Sequence, residues 1–119
     1  MARDWKFRLD DIVQAIARIE RYTGGMDFDA FRSDEKTLDA VIRNLTIVGE
    51  AAHRLPGQLK KMHTEVEWRL LTDLRNFVVH EYWGVNLETI WGTILNKLPG
   101  LKKSLENILA QISRDAEGS

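Results

Sequence analysis

The chain has 119 residues, 44% apolar and 29% charged, which fits one soluble globular domain and excludes wholesale disorder. Its 17 Lys and Arg stand against 18 Asp and Glu, so bulk charge does not make it a nucleic-acid coat, although a local basic surface is compatible with that balance. Cysteine is absent, which removes disulfides, thiol catalysis and cysteine-ligated metals.

The first ten residues alternate charged and apolar side chains and resemble no signal peptide. From Trp5, apolar residues recur at Leu9, Ile12, Val13, Ile16 and Ile19, the spacing of an amphipathic helix that Thr23-Gly24-Gly25 stops. The next ten residues read as a loop whose Phe28 and Phe31 fold back onto the core. Ser33 or Asp34 can cap a second helix carrying Leu38, Val41, Ile42, Leu45, Val48, Ala52 and Leu55, ended by Pro56-Gly57. Residues 58–67 are less regular. A third helix is expected from about Val66 to Glu81, and a short fourth one capped by Asn86, with Leu87, Ile90, Trp91, Ile94 and Leu95. Leu98-Pro99-Gly100 reads as a turn before a last helix with Leu101, Leu105, Ile108, Leu109 and Ile112.

No segment alternates strictly over five residues, so the expected class is all-α, a bundle of four to five helices. The domain is expected to span residues 1–113, with 114–119 a flexible polar tail. No run approaches 18 uninterrupted apolar residues, so no membrane partner is expected, and the expected location is the cytoplasm.

The informative stretch runs from Trp68 to Gly84. On an ideal helix Arg69, Asp73, Asn76 and His80 share one stripe about 60° wide, whereas Arg75 and His80 lie about 140° apart. A long Arg side chain can partly span that angle, and a second chain across a symmetric dimer can also bring Arg towards His. Histidine moves protons near neutral pH, Arg holds a phosphate bidentately, and Asn can orient either. Such a set suits metal-free RNA cleavage, in which a ribose 2′-hydroxyl attacks the adjacent phosphorus. The plainer reading fits the spacing too: surface charges at Asp73 and Arg75, a His80 favoured by the helix dipole, and a core Tyr82.

Arg75-Asn76, three apolar residues, His80, one residue and Tyr82 resemble the signature of the HEPN superfamily, and more narrowly its HepT-like toxin branch. Ala40-Val41-Ile42-Arg43-Asn44-Leu45-Thr46-Ile47-Val48-Gly49-Glu50-Ala51-Ala52 is similar to that family's second-helix block. Trp68-Arg69 and His80-Glu81-Tyr82-Trp83-Gly84-Val85-Asn86 are similar to its third-helix block and the turn after it, and Leu87-Glu88-Thr89-Ile90-Trp91 continues the match. The resemblance covers roughly residues 4–112. It implies a small helical bundle that forms a homodimer, with the Arg-and-His motifs of two chains facing each other in a cleft. It further implies a metal-independent ribonuclease acting on RNA rather than DNA, serving as the toxin of a toxin–antitoxin pair. The implied antitoxin is a minimal nucleotidyltransferase that silences the toxin by transferring AMP to the motif Tyr. On these terms Arg75 and His80 are the catalytic pair, Asn76 a supporting residue and Tyr82 the AMPylation site. The alternative is a non-catalytic helical module that serves a separate nucleotidyltransferase as substrate or scaffold.

Two positions depart from the family pattern. Asp73 stands where the family often has Gly or Ala; its carboxylate can pair with Arg69 or Arg75, act on His80, or line the cleft and repel RNA. Val66-Glu67 stand where a Pro is common. Arg43, with Glu50 two turns on, is either an ordinary surface charge or part of the cleft lining. The run from Ala51 to Thr64 lacks acids and carries Arg54, Lys60 and Lys61, which reads as a solvated loop or a phosphate-steering patch. His53, His63 and His80 have no metal-ligand spacing, so neither metal nor cofactor is expected. No Gly-Ser plus paired-Asp signature is present, so the AMP-transferring activity belongs to another chain.

Overall fold

In the computed structural model the backbone is described for residues 2–81 and 87–118, and side chains for 5–75 and 87–115. Seven helices follow one another among the described residues: α1 (Ala2–Thr23), α2 (Phe28–Ser33), α3 (Glu35–His53), α4 (Gly57–Met62), α5 (Trp68–Glu81), α6 (Leu87–Asn96) and α7 (Leu98–Gly118). No strand occurs among them. The five longer helices are those the apolar spacing predicts, and the class is all-α.

The apolar stripes meet as expected. Leu9, Ile12, Ile16 and Ile19 of α1 are fully buried, and so are Val41, Val48 and Ala52 of α3, Leu71 of α5 and Leu105 of α7. Helix α3 packs between α1 and α5, and α1 packs on its other side against α7. The layer order is therefore α5, α3, α1, α7, with α6 lying on α7 and α2 touching both α3 and α6. Phe31, fully buried, stacks on Trp91 with ring centroids 4.7 Å apart, which closes α2 onto α6.

The differences from the sequence expectation are local and have local causes. The stretch read as a loop contains α2, because the Asp27 carboxylate accepts from Ala30 N at 2.8 Å and starts a six-residue helix. Residues 57–62 also form a short helix, α4, which buries Leu59. Leu98-Pro99-Gly100 is not a turn. It is the first turn of α7, where a Pro lacking an N–H loses no helical bond. Helix α7 continues to Gly118, past the boundary at residue 113. Helix α5 begins at Trp68 rather than Val66, because the buried Trp68 indole N–H donates to His63 O at 2.8 Å and fixes the preceding segment. The expected cap Asn86 lies outside the described residues.

Two terminations follow the sequence closely. Gly25 adopts φ 81°, the left-handed conformation that ends α1 and that glycine takes without steric cost. Asp34 caps α3 by accepting from Thr37 N at 3.1 Å, and that backbone N–H holds its carboxyl below the usual carboxylate value.

Lys102 of α7 donates to Glu20 of α1 at 2.7 Å, with both side chains about 28–29% exposed. The Glu20 carboxylate raises the Lys102 pKa. A raised pKa contributes stability below the unfolded-state value, and that contribution is lost as pH climbs through the folded-state value. Lys102→Ala is thus expected to lower stability by about 0.5–1 kcal/mol at neutral pH. The difference from the parent should shrink above pH 10.5, the ordinary lysine value, in thermal melts followed by circular dichroism. No described helix is long and apolar enough to cross a membrane.

Candidate active site

Helix α5 reaches the core through one face, and its placement is set by α3. Gly49 is buried at the crossing of these two helices. A Cβ added at Gly49 would lie 2.6 Å from both Cβ and backbone N of Arg75. Only hydrogen at this position lets the two backbones approach so closely, so the lack of a side chain at Gly49 fixes where Arg75 sits.

The next residue along α3 acts on the Arg75 side chain. Glu50 Oε2 lies 3.4 Å from Arg75 Nη1. The Arg75 side chain is 26% exposed and that of Glu50 is 47% exposed, so water screens the pair. A contact of this kind is worth under about 1 kcal/mol of stability, and its main effect is to orient the guanidinium. Gly49 and Glu50 thus hold Arg75 from backbone and side chain respectively.

Asp73 is turned elsewhere. Its carboxylate lies 3.8 Å from Arg69 Nε, one turn back on α5, with both groups well exposed. Among the described residues, the pairing observed for Asp73 is that with Arg69. His80 and Asn76 lie on the last turns of α5, but their side chains are outside the described residues. Tyr82 lies outside them altogether.

Arg43 is exposed on α3, on the side of the helix that faces α1, where Arg18, Asn44 and Ile47 also lie. Asn44 is buried, accepts from Arg18 Nε at 2.8 Å and donates to Ala40 O at 2.8 Å. Lys60 and Lys61 occupy the last turn of α4, and His63 Nδ1 lies 3.5 Å from Glu65. Among the described residues no group of three or more His, Asp and Glu could hold a metal ion.

The residues that sequence reasoning passed over are Gly49 and Arg18. Gly49 had a usable signal, since an isolated glycine inside a strong helical pattern marks close packing. Arg18 had none, because its role depends on a contact 26 residues away in sequence.

A family model described as ribonuclease HepT-like matches residues 12–108. A Thermococcus cleftensis protein named as a probable ribonuclease HepT is 39% identical over 108 residues, covering 91% of this chain and 98% of its own. A Methanocaldococcus jannaschii protein named as a candidate RNase is 37% identical over 117 residues, covering 98% and 97%. A third, from Caldanaerobacter subterraneus and likewise named as a candidate RNase, is 36% identical over 101 residues, covering 85% and 90%. No solved structure matches the chain.

Proposed function

Because the chain belongs to the HepT-like ribonuclease family, we propose that it is the ribonuclease toxin of a toxin–antitoxin pair, cleaving RNA without a metal at a cleft between two copies of itself. The observation that carries this reading is the seating of Arg75. The first residue of the Arg-x4-His-x-Tyr signature stands at the closest approach of two helices, half-buried and oriented by Glu50. A guanidinium so held is ready to take the charge that builds on a phosphate.

In the proposed reaction His80 accepts the proton of a ribose 2′-hydroxyl. The 2′-oxygen bonds to the adjacent phosphorus while the bond to the 5′-oxygen breaks, and the leaving oxygen takes up a proton. The products are a 2′,3′-cyclic phosphate and a 5′-hydroxyl. Arg75 neutralises the pentacoordinate phosphorus. Asn76 supports the pair. The dimer supplies the second chain that the wide angle between Arg75 and His80 calls for. Restraint comes from a separate nucleotidyltransferase, which lets the Tyr82 oxygen attack the α-phosphorus of ATP with loss of pyrophosphate. An adenylate two residues from His80 fills the cleft and repels RNA phosphates. The location that suits this work is the cytoplasm.

Two measurements test the reading. Purified protein is expected to cleave RNA at the same rate with and without a chelator. Loss of cleavage on chelation removes the metal-free mechanism, and no cleavage under any condition leaves the non-catalytic module. Co-expression with the partner nucleotidyltransferase is expected to raise the intact mass by whole adenylate units, and Tyr82→Phe to abolish that increase. An unchanged increment in Tyr82→Phe places the modification elsewhere.

A further inference from the structure

The seam between α1 and α3 opens into a groove of about 470 Å³ lined by Arg18, Tyr22, Asp39, Arg43, Asn44 and Ile47. Ile47 also lines a second depression on the same seam, of about 260 Å³, whose charged walls are Arg8, Asp11, Glu50 and Arg54. The two share a wall and run in line. Arg43, Ile47 and Glu50 of α3 and Arg54, the residue that caps its C-terminal end, follow one another at spacings of three and four residues, a stripe about 16 Å long. The stripe passes Glu50, and Glu50 is the residue that holds Arg75.

The groove is built to present guanidinium groups. Burying an amide in an apolar helix face is costly unless it is bonded, and Asn44 uses its oxygen to hold Arg18. That bond is made through Nε, and the two Nη groups of the same guanidinium have the fork geometry suited to phosphate. Arg43 stands on the facing helix. At the end of the groove Tyr22 is 37% exposed, and the Arg21 guanidinium lies 5.6 Å from its ring centroid. Basic side chains in a line beside a partly exposed aromatic ring are the elements with which proteins hold single-stranded nucleic acid, the charges following the backbone and the ring stacking a base.

We propose that the α1/α3 groove is a binding track for single-stranded RNA, in which Arg18, Arg43 and Arg54 hold successive phosphates, Tyr22 stacks a base, and the strand is led to Arg75. The inference rests on the ribonuclease reading and adds where the substrate lies outside the reacting phosphate. It also reconciles a net charge of −1 with an RNA substrate, because the contacts are concentrated in one seam.

The test uses the full chain carrying His80→Ala, so that binding is read without cleavage, and a fluorescently labelled unstructured RNA oligonucleotide followed by anisotropy. Arg43→Ala and Arg54→Ala are each expected to weaken binding several-fold and to flatten the log Kd against log salt slope by about 0.7 for each phosphate no longer neutralised. Tyr22→Leu is expected to weaken binding about tenfold with little change in slope. Arg32→Ala, which removes an exposed charge on α2, serves as the control and should bind like the parent, and circular dichroism confirms that each variant is folded. Parental affinity and slope in both Arg43→Ala and Arg54→Ala overturn the track. So does a change of oligomeric mass in these variants with RNA binding retained, which makes the seam a protein contact. The two readings separate in chains that retain His80. If RNA is cleaved normally by both arginine variants, the track falls and the ribonuclease stands. If the parent neither binds nor cleaves RNA, both fall.

Discussion

His80→Ala is expected to lower RNA cleavage by roughly 10²–10⁴-fold while leaving the fold and RNA binding in place. The size follows from what a positioned proton acceptor contributes, since a 2′-hydroxyl is a poor nucleophile until its proton is leaving. Arg75→Ala is expected to fall at least as far, because in the proposed mechanism it removes the charge that faces the phosphorus, and it leaves Glu50 without its partner, an anion beside an anionic substrate. Arg75→Lys separates these two effects. It keeps the positive charge that offsets Glu50 but loses the planar fork, so partial recovery assigns the remainder to bidentate geometry. The rates should be read in single-turnover assays on purified protein with a chelator present. Cleavage by His80→Ala at the parental rate, with the same products, would remove the proposed chemistry.

Much of this molecule is legible in its sequence because the forces that build it are local or periodic. The apolar spacing in α1, α3 and α7 gives their buried faces directly, and Gly25 and Asp34 mark helix ends by their own backbone and side-chain chemistry. What escaped is of a different kind. Helices α2 and α4 have six residues each, too short for a periodic pattern to stand out from a loop. Pro99 reads as a break until it is seen to occupy the first turn of α7, where it costs no hydrogen bond. At the site, the motif gave Arg75, but not the residues that seat it. The Glu50 contact spans 25 residues of sequence, and nothing in either neighbourhood declares it. Asp73 shows the same limit from the other side. Sequence offered it several partners, and among the described residues the one it meets is Arg69, one turn back on the exposed face of α5.

Gly49→Ala is expected to reduce cleavage by roughly 10²-fold with only a small loss of stability, and this separation is what identifies a positioning role. The added methyl meets the Cβ and backbone N of Arg75 at 2.6 Å, and the backbone atom cannot swing aside as the far end of a side chain does. Ordinary carbon contact needs about 3.5 Å or more, so α3 and α5 must part by about 1 Å. Overpacking of this sort costs about 1–3 kcal/mol, and the better helix propensity of alanine over glycine returns about 1 kcal/mol. The net loss is therefore about 0–2 kcal/mol, which a domain of ordinary stability tolerates. The displacement itself is carried by Arg75, where an error of about 1 Å in placement is enough to cost two orders of magnitude in rate. Gly92→Ala is the matched control. Nothing lies within 4 Å of the Cβ that this substitution adds to α6, so it should stabilise modestly and leave cleavage unchanged. A Gly49→Ala protein that melts near the parent and cleaves RNA at the parental rate would show that the approach of α3 to α5 does not set a position of Arg75 on which cleavage depends.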